Sequence, residues 1–240
     1  AGDYALSATS KTVAATITQK SLTESGLSVA ASRAYDGTTA ASVSGTAALL
    51  ASETAGSGTT SDGKPYTGDT VSITGTAVGT YNDAHVANAT TVTFSGLSLT
   101  GAQAGNYSLT IQSPASATIT AATLTPTITN TGVTKVYDGT TSSSITPTYS
   151  FTGLVSGDTA ATLTNTGIAY NYKDVATATL VTVSGLSISS ITGNKSSVAG
   201  DYALSATSKT VAATITQKSL TESGLSVAAS RAYDGTTAAS

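Results

Sequence analysis

The chain begins and ends with the same 42 residues. Residues 1–42 and 199–240 are identical, so the second copy starts 198 residues after the first. The identity of the two ends predicts that this sequence is a segment of a longer tandem array. Further residues or a neighbouring chain are expected to complete the unit at each end.

A shorter repeat lies inside the long one. The tyrosines that begin three YDGTT words, Tyr35, Tyr137 and Tyr233, are 102 and 96 residues apart. Other words recur once per unit in the same order: TGDT at 67 and SGDT at 156, YND at 81 and YKD at 172, VTFSGLSL at 92 and VTVSGLSI at 181, AGNY at 104 and AGDY at 199. The ordered words predict two homologous units of about 100 residues each.

The spacing of the words predicts the unit boundaries. The four predicted segments are 1–18 (the end of a preceding unit), 19–121 (the first complete unit), 122–216 (the second complete unit) and 217–240 (the start of the next unit). The first unit is longer within 51–68, a Gly/Ser-rich stretch that contains a proline and Tyr66 and is typical of an inserted surface loop. The second unit is longer near residues 192–200.

The apolar residues alternate with polar ones over short runs. Val92 and Phe94 share one face of such a run, and Tyr107, Leu109 and Ile111 share one face of another. Period two in segments rich in Val, Ile, Thr and Tyr, separated by Gly-containing turns, predicts strands. We therefore expect an all-β protein made of tandem immunoglobulin-like β-sandwiches. A solenoid would need a period of roughly 20 to 30 residues, which the sequence lacks.

Composition argues against several classes of function. The net charge is −3 and only 10% of residues are charged, so the concentrated basic face that nucleic acid requires is missing. No apolar run approaches the roughly 18 residues of a membrane span. The chain has no cysteine and one histidine, His85, which we expect in a surface loop. Neither a zinc site nor a histidine-dependent triad can then recur in both units, and we expect no enzymatic activity.

The YDG word predicts a tight turn. Glycine reaches positive φ at no steric cost and aspartate caps its own turn, so the tyrosine is expected to pack while Asp-Gly reverses the chain. Lys135 precedes one such word, but Arg33 at the matching position cannot form a Lys–Asn or Lys–Asp isopeptide bond. The predicted turn residues are Tyr35, Asp36, Gly37, Tyr137, Asp138, Gly139, Tyr233, Asp234 and Gly235.

Calcium binding is the alternative interpretation of the recurring aspartates. Calcium takes six to eight oxygen ligands, and the clustered acidic spacing that supplies them is absent here. We therefore expect no cofactor, with distant aspartates meeting at a domain junction as the alternative. The candidates are Asp36, Asp83, Asp138 and Asp174, with Asp174 taken as the counterpart of Asp83.

The ordered words together resemble the YDG repeat domain of very large bacterial surface and secreted proteins of the filamentous-haemagglutinin type. The resemblance rests on K/R-x-YDGTT followed by GDT, Y-x-D, VTxSGLS, AG-N/D-Y and ATIT, and it extends over essentially the whole chain. It implies an extracellular β-sandwich used as stalk or fibre material in an adhesin, matrix protein or filament. It implies no catalytic residues.

Two functions remain open at this point. The first is structural, with identical repeats of the same or neighbouring chains as partners, at the bacterial cell surface or in a secreted matrix. The second is multivalent binding of glycan or a cell-surface protein through loops at the sandwich ends, where repetition supplies avidity. The inserted loop with Tyr66 is the candidate contact for such a partner.

Overall fold

The structure is a computed structural model that describes residues 2, 10–226 and 229–237. In this part of the chain the prediction of an all-β protein is confirmed, since the only helical segments are 3-10 turns at Ala104–Asn106 and Ala199–Asp201. None of the described helical segments has the length and apolarity to cross a bilayer. The strands of the first repeat are β1 (Lys20–Val29), β2 (Ser32–Ala34), β3 (Ala40–Ala41), β4 (Val43–Leu49), β5 (Ser72–Tyr81), β6 (Thr91–Thr100), β7 (Tyr107–Thr110), β8 (Ala115–Ser116) and β9 (Thr118–Thr120).

The second repeat has a similar set of strands. They are β10 (Ala122–Ile128), β11 (Val133–Val136), β12 (Tyr149–Thr152), β13 (Asp158–Thr164), β14 (Gly167–Tyr170), β15 (Leu180–Ser184), β16 (Ser187–Gly193), β17 (Tyr202–Leu204) and β18 (Ser208–Thr216). The chain divides into two compact units. Unit 1 is Ala1–Thr123 with Leu154–Thr159 and Ile191–Ala203, and unit 2 is Leu124–Gly153 with Ala160–Ser190 and Leu204–Ser240. Two segments of the second sequence repeat therefore belong to unit 1.

Unit 1 is built around the long strands β1, β5 and β6. β1 lies between antiparallel β4 and parallel β7, a four-stranded sheet has the order β3-β5-β6-β8, and β2 pairs in parallel with β9. The buried side chains follow the alternation of the strands, because successive residues point to opposite faces. Leu22 and Val92 are fully buried, and Tyr81 and Ile119 are nearly so.

The strands of the second repeat pair in a similar pattern. β10 pairs antiparallel with β12, and β11 pairs in parallel with β18 in a sheet of order β11-β18-β15-β14. Its core contains Val133, Tyr170, Val181 and Ile215, with Tyr137 packed against them. The remaining sheets have the orders β12-β10-β17 and β13-β16.

The 42-residue repeat shows that identical sequences adopt different structures in this chain. Residues 20–28 lie in β1, whereas the identical sequence at 218–226 forms no strand. Ile215 in β18 is 3% exposed, and its copy Ile17 is fully exposed. Each strand forms where its long-range partners are present, such as β4 and β7 for β1, so tertiary pairing rather than local propensity decides.

Hydrogen exchange should show this difference within one sample. Identical sequences have the same intrinsic exchange rates, so any difference in rate reports structure. We expect backbone amides in residues 20–28 to exchange at least about 100-fold more slowly than their copies at 218–226, measured by NMR. Equal rates would mean that the segment forms a strand without its partners.

Candidate functional site

The YDG word forms a closed turn in the first repeat. Oδ1 of Asp36 accepts hydrogen bonds from the backbone N–H of Thr38 at 2.9 Å and from its hydroxyl at 2.8 Å. Gly37 has φ +73°, which a residue with a side chain rarely adopts. Arg33 lies 2.6 Å from Asp36 and also donates to the carbonyl of Thr38. Burial opposes ionisation of Asp36, but the bonds from Thr38 and Arg33 together hold its pKa below the ordinary value.

The second turn repeats this geometry with lysine in place of arginine. Lys135 Nζ lies 2.7 Å from Asp138 Oδ1 and 2.8 Å from the carbonyl oxygen of Thr140. The ion pair, followed by hydrogen bonds from Thr140, lowers the pKa of Asp138 to about 2. Arg33 and Lys135 thus have the same role, which is to close the turn. The third copy is also closed, with the N–H of Thr236 3.0 Å from Asp234.

A second recurring contact joins two words that are distant in sequence. The hydroxyl of Tyr107, from AGNY, donates to Asp69 of TGDT at 2.5 Å, and the hydroxyl of Tyr202, from AGDY, donates to Asp158 of SGDT at 2.6 Å. Each tyrosine oxygen also accepts a backbone N–H, from Tyr66 and Val155 respectively. This contact was not predicted, although both of its words occur once per repeat in fixed order.

In unit 1 the first YDG tyrosine is part of a larger polar cluster. The hydroxyl of Tyr35 lies 2.6 Å from that of Ser197, which in turn donates to Asp158 at 2.6 Å. The Tyr35 ring stacks on His85 and meets the Tyr202 ring edge-on, with centroids 6.4 and 5.7 Å apart. Ser197 belongs to the stretch by which the second repeat is longer, so that extension supplies part of the cluster.

Asp201 is the most buried member of this cluster. Its carboxylate is fully buried and lies 2.7 Å from Nδ1 of His85. It also accepts the backbone N–H of Val86 at 3.0 Å and that of Val198 at 2.9 Å. A buried carboxylate is tolerated only when it is paired and hydrogen-bonded, as here. His85, expected in a surface loop, is therefore partly buried against a carboxylate.

The structure corrects one predicted correspondence between the repeats. Tyr81 and Tyr170 are equivalent, since both are 4% exposed and both pair with the first valine of the VTxSGLS word. In this alignment of the two repeats Asp174 is equivalent to His85. The sequence had predicted that Asp174 matches Asp83, which lies two residues before His85. The error arose because a second tyrosine, Tyr172, creates a Y-x-D word out of register.

The four calcium candidates are not brought together. Asp36 and Asp138 each pair with the cation of their own turn, and Asp83 accepts the N–H of His85 at 2.7 Å. Asp174 is exposed. Within residues 2, 10–226 and 229–237, no three His, Cys, Asp or Glu side chains are grouped as a metal ion would require.

The inserted loop of the first repeat is attached to β1 by a buried lysine. Lys20 is 6% exposed, and its Nζ lies 2.5 Å from Glu53, 3.1 Å from Asp62 and 4.1 Å from the centre of the Tyr66 ring. The N–H of Thr23 donates to the carbonyl of Gly63 at 3.0 Å. Tyr66, the predicted partner contact, is thus packed within unit 1.

Alkaline pH should weaken unit 1 through its tyrosines. Burial, followed by the hydrogen bond to Asp158, raises the pKa of Tyr202 above its ordinary value, and burial raises that of Tyr35. A group whose pKa is raised by folding contributes stability below its unfolded pKa of about 10 and loses it as the pH rises through the folded pKa.

The measurement is unfolding stability as a function of pH, with tyrosinate absorbance recorded alongside it. We expect stability to fall above pH about 10, with a shallower fall in Tyr202→Phe. An identical slope in this variant would contradict the assignment.

Comparison with known protein families identifies the repeated unit. The family model of the YDG domain matches residues 18–117 and 120–210. Because these matches extend over most of the chain, it belongs to the YDG domain family, with two copies of the domain. No curated protein and no solved structure matches the chain.

Proposed function

We propose that this chain is a segment of an extracellular structural array, the stalk or fibre of a large bacterial surface or secreted protein of the filamentous-haemagglutinin type. Its YDG domains are immunoglobulin-like sandwiches joined in a line, and they carry no catalytic site. Each added copy extends the reach of the array. Identical repeats of the same or neighbouring chains are the main partners.

The observation that carries this proposal is that the recurring residues serve internal contacts. The Asp of each YDG word closes its own turn, and the Tyr of each AG-N/D-Y word bonds to the Asp of GDT. Residues retained for binding a partner would be presented at the surface of every unit. The recurring residues of this chain instead stabilise the fold of each unit, as a structural spacer requires.

Imaging the native assembly tests the proposal. Antibodies against this chain, applied to intact cells that produce it and viewed by electron cryotomography, should label extended extracellular fibres at regular intervals. Labelling confined to the cell interior would overturn the proposal. Antibodies against an unrelated cytoplasmic protein provide the control for cell integrity.

The inserted loop supports a second candidate, a binding module for glycan or a surface protein. Lys20 holds the base of the loop in place, while Thr54–Thr60 are exposed. A loop ordered before binding loses less entropy when a partner docks. Replacing Thr54–Thr60 with a short Gly-Ser link, while retaining Glu53 and Asp62, should then abolish adhesion to glycan arrays or host cells without unfolding unit 1. Unchanged adhesion would exclude this candidate.

A further inference from the structure

The buried lysine of β1 lies against two carboxyl groups within unit 1. The side chain of Lys20 is 6% exposed, and those of Glu53 and Asp62 are 12% and 20% exposed. Nζ of Lys20 lies 2.5 Å from Oε1 of Glu53 and 3.1 Å from Oδ1 of Asp62. The Tyr66 ring lies over the amine, with its centre 4.1 Å from Nζ. An amine and two carboxyls are thus held together where little water reaches them.

These three groups occur together in the first repeat and are all missing from the second. When the repeats are aligned on their ATIT words, Ala122 stands at the position of Lys20. The second repeat also lacks the insertion within 51–68 that supplies Glu53 and Asp62. The lysine therefore accompanies the inserted loop and is not needed for the fold that the two repeats share.

The surroundings of Asp62 suit its carboxyl carbon to attack by an amine. Oδ2 of Asp62 accepts the backbone N–H of Thr59 at 2.9 Å, and Oδ1 accepts that of Lys64 at 3.0 Å. Backbone donors of this kind stabilise the negative oxygen that develops when a carboxyl carbon is attacked. Because a C=O bond is about 1.23 Å long, Nζ of Lys20 lies within about 4.3 Å of Cγ of Asp62. A shift of at most about 1 Å then brings the two atoms to reacting distance.

Glu53 contacts both of the groups that would react. Its Oε1 lies beside Nζ of Lys20. A Cβ added to Gly58 would collide with both Oε2 of Glu53 and Oδ2 of Asp62, so the two carboxyls lie side by side. Burial disfavours the ammonium form of Lys20, but the hydrogen bonds and charges of the two carboxyls raise its pKa above the ordinary value. The amine can therefore attack only after a proton has moved within the cluster, and Glu53 is in position to carry that proton.

We propose that Lys20 and Asp62 condense to form an isopeptide bond, with Glu53 as the proton carrier. An ammonium proton passes through Glu53 to the Asp62 carboxylate, and the neutral amine attacks Cγ. Glu53 then takes a second proton from the nitrogen and delivers it to the departing hydroxyl. An N–C bond forms, a C–O bond breaks and one water leaves, while Glu53 ends ionised as it began and no other reactant is consumed. The neutral amide replaces two buried charges and removes their desolvation cost.

The bond joins β1 to the loop between β4 and β5 and closes residues 20–62 into a ring. Under tension along the proposed array, the chain between these residues cannot extend. The bond itself does not depend on the array, so either proposal can fail without the other.

The intact mass of the full chain, measured under denaturing conditions, tests the bond. The native chain is expected to lack the mass of one water molecule, whereas Lys20→Arg and Glu53→Gln should retain the full mass. Trypsin should fail to cut after Lys20 and should release a branched peptide joined at Asp62. Lys218 is the matched control, because it lies in the same local sequence but has no counterpart of Glu53 or Asp62 in this chain. Trypsin should therefore cut after Lys218.

A native chain of full mass, cut equally after Lys20 and Lys218, would overturn the proposal. A lost water without the branched peptide would do the same, because Asp62 precedes Gly63 and could lose water by closing on the backbone nitrogen. That loss would persist in Lys20→Arg. A branch at Glu53 would contradict the assignment of Asp62, and a lost water in Glu53→Gln would contradict the role of Glu53. The native measurement needs no variant, so a variant that fails to fold leaves the test intact.

Discussion

Replacing Asp201 with alanine is expected to destabilise unit 1 by about 3 kcal/mol. The carboxylate is fully buried and satisfies three donors: His85 Nδ1 and the backbone N–H groups of Val86 and Val198. Alanine leaves these donors without their acceptor. Water restores only part of the loss, because the site is enclosed.

Asn106→Ala is the matched control for this substitution. Asn106 occupies the same position in the AGNY word but is exposed, so its removal should cost less than about 0.5 kcal/mol. Urea unfolding followed through NMR peak intensities of unit 1 provides the measurement. Similar losses in the two variants would show that the Asp201 contacts are not formed.

Gly45→Ala should destabilise unit 1 by at least about 3 kcal/mol. Gly45 has φ +85°, and an added Cβ would lie 2.1 Å from the carbonyl oxygen of Gly26 on the paired strand β1. Gly26 has φ +103° and lies where the register between β1 and β4 shifts. The two glycines thus allow the backbones to approach closely at a bulge, and a side chain must force the strands apart.

Gly56→Ala separates the cost of backbone conformation from that of the collision. Gly56 has a similar φ of +82°, but no atom lies within 4 Å of the added Cβ. We expect it to cost about 1 kcal/mol, the penalty of positive φ alone. Equal losses in the two variants, measured by thermal unfolding, would show that the close approach contributes nothing.

The fold class and the turns could be predicted from the sequence because they depend on nearby residues. Alternation at Val92 and Phe94 indicated a strand, and Asp-Gly indicated a turn. The polar cluster could not be predicted, since Tyr35, His85 and Asp201 are far apart in sequence. The Asp69–Tyr107 contact could have been predicted from the sequence, because the two words that contain these residues both recur.

The third YDG turn shows what the sequence determines by itself. At Arg231–Thr236 it has the same capping bonds as the two earlier turns, although Tyr233 is 96% exposed. The bonds join residues at most five positions apart, so they need no distant partner. The β1 sequence behaves oppositely: residues 20–28 lie in a strand between β4 and β7, and their copy at 218–226 forms no strand. A strand's backbone groups must bond to another segment, so only the tertiary structure decided where this sequence would form one.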